Sequence, residues 1–172
     1  MSIRVYVPSS YALLREAVVS GGIGPSPLLA HAVTDALRAE LADGTDEDWE
    51  YVAMTAAAQD SLALLTDEDP PRRVVIAVDV DSVLPVEHED LTLVEVAEVV
   101  PLRAVAAVHV DAEDAEDAVA EARPLWERAA EGDEKAAAVV ERCTDHEIGW
   151  YATQEIGTLL EAYDGQAEAT WE

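Results

Sequence analysis

The stretch Val74-Val75-Ile76-Ala77-Val78-Asp79-Val80 is apolar at every position but one and rich in β-branched side chains. A strand with one wet face alternates apolar and polar residues. A run without alternation suits a strand covered on both faces. Val74 to Val80 is therefore predicted to be a central strand, and the rest of the chain has to supply neighbours and cover.

The neighbours are legible. Ile3 to Val7 alternates like a strand and stops at Pro8-Ser9-Ser10, where serine can cap a helix carrying Tyr11, Leu14 and Val18 on one face. Gly21 to Pro27 is a loop by composition, and Leu28 to Val33 is a second short strand. Thr34 can cap a helix through Leu37 and Leu41. Thr45-Asp46-Glu47-Asp48 starts the next, with acids at the positive end of its dipole and Trp49, Val52, Ala53 and Ala56 as its apolar stripe. After a break at Asp67 to Pro71 come the central strand, a polar loop from Ser82 to Asp90, and strands over Val94–Val100 and Val105–Val110.

Asp111 to Glu131 has the apolar series Ala115, Ala118, Val119, Ala122, Leu125, Trp126 and Ala129, which is helical spacing. The stripe keeps its phase through Pro124, so a kink is expected there. Ala136, Val139, Val140 and Cys143 mark a second helix. Glu147 to Ala152 reads as a short strand, and Ile156, Leu159, Leu160 and Tyr163 mark a last helix. The order predicts an α+β fold: one domain over 1–165, a mixed sheet of about five strands with helices packed on it, and an acidic frayed tail over 166–172. Two strand-to-helix passages, Ala30-His31-Ala32-Val33-Thr34 and Val108-His109-Val110-Asp111, resemble each other enough to raise a diverged internal duplication.

Charge narrows the function. The 172 residues carry 37 acids against 10 bases, a net of −27. Such a surface repels nucleic acid and anionic lipid, because phosphates cannot be neutralised without lysine and arginine. It attracts basic proteins and divalent cations, and it also serves solubility alone. No apolar run is long enough for a bilayer, and no signal peptide is read at the N-terminus. With Cys143 as the single cysteine, these features lead us to expect a cytoplasmic protein.

Several segments could carry chemistry. Asp79-x-Asp81-Ser82 looks like the first motif of haloacid-dehalogenase-like phosphatases, in which one aspartate attacks phosphorus. That chemistry also needs a downstream lysine, and the one lysine, Lys135, sits in an alanine-rich helical segment. The segment equally suits a solvated strand-end turn. His109-x-Asp111 also ends a strand. If both strands end on one edge of the sheet, Asp79, Asp81, His109 and Asp111 could share a divalent metal ion. The alternative makes Asp111 an N-cap and His109 half-buried. His31-x-x-Thr34 lacks the hydroxyl residue two places after histidine that two-histidine phosphoesterases use. Asp145-His146-Glu147-Ile148-Gly149-Trp150 has tryptophan where a zinc protease helix needs its second histidine. It still gathers His146, Glu147, Trp150, Tyr151, Gln154 and Glu155, a candidate binding surface. The competing reading packs Trp150 and Tyr151 under the sheet. Gly21-Gly22-x-Gly24 lacks the lysine of a phosphate loop, and Cys143 reads as a buried structural thiol.

The segments Arg4-Val5-Tyr6-Val7-Pro8-Ser9-Ser10, Ala32-Val33-Thr34-Asp35-Ala36-Leu37-Arg38, Val108-His109-Val110-Asp111 and His146 to Glu155 resemble a family of short acidic actinobacterial proteins of unknown function. The resemblance spans nearly the whole chain and implies a bacterial setting but no activity. The sequence therefore points to an uncharacterised, non-enzymatic module that binds a basic protein partner and uses no cofactor, nucleic acid or membrane. The alternative is a hydrolase with a divalent metal ion on the four strand-end residues.

Overall fold

Val74 to Val78 are all buried, and in the computed structural model they begin β4 (Val74–Val80). The structure describes residues 2–170. Strand β4 is flanked by β1 (Ile3–Ser9) and β8 (Val105–Asp111), so it is an inner strand, as its unbroken apolar pattern requires. Next to β1 lie β3 (Leu28–Ala32), β6 (Leu93–Val96) and the two-residue β5 (Leu84–Pro85). Next to β8 lies β9 (Ile148–Ala152). The sheet thus has seven strands in the order β5-β6-β3-β1-β4-β8-β9.

The α+β class stands, but the sheet is larger than expected, and every pairing in it is antiparallel. The expected strand over Val94–Val100 breaks at Ala97. Its far end, β7 (Val100–Pro101), leaves the main sheet and pairs with β2 (Gly22–Ile23). Strands of two residues carry no periodicity, which is why β2, β5 and β7 leave no trace in the sequence pattern.

Caps set the helices. The Ser10 hydroxyl accepts from Leu13 N at the start of α1 (Tyr11–Ser20), and Thr34 does the same for Leu37 N at α2 (Asp35–Glu40). Thr45 and Asp48 form a reciprocal capping box at α3 (Asp46–Ser61). Gly21, at φ 83°, closes α1 in the left-handed conformation that glycine adopts without strain, so its role here is a helix stop. The long predicted helix starts later and is segmented. Asp111 belongs to β8, α4 (Glu116–Ala122) follows, and Pro124 lies in a 3-10 turn before α5 (Trp126–Ala130). The chain continues through α6 (Glu134–Glu141) and β9 to α7 (Ile156–Thr170). Helix α7 enters the stretch expected as a frayed tail, whose final residues, Trp171 and Glu172, lie outside the described residues.

One sheet face packs Val5, Val7, Ile76 and Val108 against Leu14 of α1 and Ile156 and Leu160 of α7. The other packs Tyr6, Val75, Ala77 and Ala107 against Ala53, Ala57 and Ala58 of α3. Alanine at these sites lets the α3 backbone approach the sheet closely. A third cluster joins Leu62 and Leu65 to Val119, Val140 and Cys143 at the sheet end. The two proposed repeats differ in what joins their paired strands: α1 and β2 between β1 and β3, but β5 to β7 between β4 and β8.

Candidate functional site

Strands β4 and β8 run antiparallel, so their carboxyl ends lie at opposite ends of the sheet. Asp79 ends near Arg4, which holds it in an ion pair of 2.7 Å. Asp111 ends beside Arg73, just before Val74. A seven-residue strand, about 20 Å of chain, separates the two. Asp81 is exposed in the turn after β4. His109 is half-buried with its ring 6.4 Å from that of Tyr6. The structure therefore does not bring Asp79, Asp81, His109 and Asp111 together. Among the described residues no group of three or more His, Cys, Asp or Glu side chains is placed to hold a metal ion.

Asp111 has a different role from either one expected. Its carboxylate is fully buried and accepts from Nε and Nη2 of Arg73, at 2.8 and 2.9 Å, and from the Arg73 backbone N–H. Arg73 also donates to the carbonyls of Cys143 and His146 and to Gln59 of α3. Ala112, not Asp111, occupies the cap of the following 3-10 turn. The pair is a structural lock between strand ends, α3 and the turn before β9. Cys143 is buried there, and burial pushes its thiol up.

The His146–Glu155 surface divides over two faces. Trp150 pairs with His109 across the ladder and is 63% exposed on β9, whose outer edge has no strand partner among the described residues. Tyr151 points the other way and packs half-buried against the larger core. His146 and Glu147 border a small cleft with Tyr51 and Met54 of α3. Glu155 accepts from the Ala152 N–H, and Gln154 is exposed. Trp150 is on the surface, against the reading that packs it under the sheet, and Tyr151 is half-buried.

A larger feature lies at the far side of the sheet. A groove of about 1460 Å³ runs between α1, the start of β3 and the end of α3. Leu13, Val19, Leu29, Leu64 and Val99 line it, which is half of the exposed large apolar side chains among the described residues. Val19 is 83% exposed. Helix α1 buries Tyr11, Leu14 and Ala17, so Val18 and Val19 turn outward where the sequence had placed Val18 inward.

Carboxylates edge the groove: Glu16 on α1, Asp60 at the end of α3 and Asp90 before β6. Two of them are fixed from beneath by His31, a β3 residue only 1% exposed. His31 Nε2 lies 2.6 Å from Asp60 Oδ2, and Nδ1 lies 2.8 Å from the Thr92 hydroxyl. The Thr92 hydroxyl donates to Asp90 at 2.5 Å, so it must accept from Nδ1–H. The series Asp60–His31–Thr92–Asp90 ties both carboxylates to one another at the groove edge. Sequence reasoning singled out His31 but missed its partners. The only hint of the groove was apolar residues in excess of the buried stripe, at Leu13 and Val19.

No helix of the described residues is long and apolar enough to cross a membrane. No curated protein and no solved structure matches the chain. The model of a family of unknown function, DUF6912, matches residues 3–160, and the chain belongs to that family.

Proposed function

We propose that this family member is a protein-binding module whose groove takes an amphipathic segment carrying lysine or arginine. The observation that carries the reading is the coincidence of exposed Leu13, Val19, Leu29, Leu64 and Val99 with the fixed carboxylates Asp60 and Asp90. Helix-in-groove recognition needs an apolar seam to bind and flanking charge to set orientation. A net charge of −27 supplies long-range attraction for a basic partner. The strand-end hydrolase reading lacks a converged constellation and has no comparable support.

The test is calorimetric titration with a synthetic amphipathic leucine–lysine helix, against a serine–lysine peptide of equal charge. The leucine peptide should bind at about 0.15 M salt, where screening has removed most non-specific attraction. The Leu29→Ser/Val99→Ser variant should bind it at least about tenfold more weakly. Equal binding of the two peptides, or of wild type and variant, would sink the proposal.

A second reading rests on Trp150. A bare edge strand with an exposed tryptophan suits strand addition by an extended basic segment. Trp150→Ser should then abolish capture of a partner that Leu29→Ser leaves bound, which separates the two surfaces.

A further inference from the structure

On the face of the sheet opposite Trp150, Tyr151 lines a pocket of about 380 Å³ with Tyr11, Arg72, Leu159 and Tyr163. This is within the range of small-molecule sites. The rings of Tyr11 and Tyr163 stand 4.7 Å apart at a tilt, giving an aromatic wall. The Tyr163 hydroxyl donates to the Glu68 carbonyl, which fixes that ring. The site is formed by α1, the segment before β4, β9 and α7, all anchored on the larger core.

Arg72 gives the pocket its chemistry. Its Nε donates to Glu116 at 2.9 Å, which orients the guanidinium plane, and its side chain is only 17% exposed. Among the described residues no second carboxylate lies within ion-pair distance of it, so its terminal N–H groups are unspent on acids. The Tyr11 phenol sits beside the same guanidinium. Burial pushes that phenol up, so it stays protonated and able to donate. A planar fork of N–H donors with a neighbouring O–H donor matches a carboxylate, and tyrosine rings match a flat apolar body.

We infer that this pocket binds a small aromatic monocarboxylate, with its carboxylate on Arg72 and Tyr11 and its ring between Tyr151 and Tyr163. Glu155, at the rim, and the acid-rich surface disfavour ligands of higher negative charge. The site is independent of the groove.

The experiment is a titration of the intact protein with phenylacetate, phenylacetamide, phenyl phosphate and phenethylamine, followed by NMR of the tyrosine ring signals. Phenylacetate should saturate and bind at least about tenfold tighter than the uncharged amide, a difference of about 1.4 kcal/mol. Arg72→Gln should erase that preference. Because Arg72 also holds Glu116, a second variant, Ala162→Trp, fills the pocket from the exposed side of α7 and leaves Arg72 in place. It should abolish phenylacetate binding while keeping the wild-type unfolding midpoint. Binding of the amide as tight as the acid, tighter binding of phenethylamine or phenyl phosphate, or undiminished binding by Ala162→Trp would overturn the assignment. So would failure of phenylacetate to saturate.

Discussion

Arg73 and Asp111 form a two-pronged ion pair at 2.8 and 2.9 Å, with side chains 2% and 0% exposed. Taking two charges out of water is costly, and here the cost is met by hydrogen bonds: among the described residues no buried side-chain nitrogen or oxygen lacks a partner. Removing one partner leaves the other charge buried and bare. Asp111→Ala should therefore cost about 3–5 kcal/mol, read as a fall in the urea midpoint. The double variant Arg73→Met/Asp111→Leu should be less destabilised than Asp111→Ala alone. A single variant within about 0.5 kcal/mol of wild type would contradict the lock.

Burial holds His109 below its ordinary 6.5, and the Arg4 guanidinium adds to the effect. Tyr6, Val75 and Trp150 also lie beside it. The unfolded chain binds the proton more tightly than the folded one. Stability from this site is thus complete above pH 6.5 and declines as pH falls through 6.5 towards the lower folded value. Urea midpoints of His109→Gln should fall less than those of wild type between neutral and mildly acidic pH. Parallel pH profiles would refute this.

Cys143 should be slow to react with a thiol reagent in the folded protein. Burial raises the thiol, and the Arg73 charge only partly opposes it, so little thiolate forms and little of it is accessible. Reaction in urea should be fast, with a rate that tracks the unfolded fraction. Rapid labelling in native buffer would mean that the end of the sheet opens locally.

Exposed and buried leucines should separate cleanly. Leu14 lies on α1 and Leu29 on β3, and Leu29 is 55% exposed while Leu14 is 1% exposed. Leu14→Ala should cost about 2–5 kcal/mol, while Leu29→Ser should stay within about 0.5 kcal/mol of wild type. A large loss at Leu29 would show that the groove is structural.

The legible parts of the fold were those written in local pattern. The β-branched run of β4, the hydroxyl caps at Ser10, Thr34 and Thr45, and the proline within the long helical stripe each have a short-range cause. Strand direction has no such cause. It decided the fate of the strand-end acids, because Asp79 and Asp111 looked alike in sequence and ended at opposite ends of the sheet. The lock partner of Asp111 lies 38 residues away, and no spacing rule connects them. Trp150 and Tyr151, adjacent in sequence, were read as a unit. On a strand, adjacent side chains face opposite ways, and one became surface while the other became a pocket wall.

The pairing of Ile3 with Val80 sets an order of events during synthesis. The chain makes β1 first, and β3 offers it only two register partners, at Val5 and Tyr6. The strand that pairs with β1 along its whole length is complete only at Val80, and β8 and β9 must still be added beyond it. Contacts between distant segments are slow to form, and an apolar strand waiting for its neighbour offers an open template to other chains. A nascent chain stalled before Val80 has α1 to cover Val5 and Val7, but the edge of β1 that pairs with β4 stays open. Such fragments should aggregate despite their acidity, while the completed protein stays in solution.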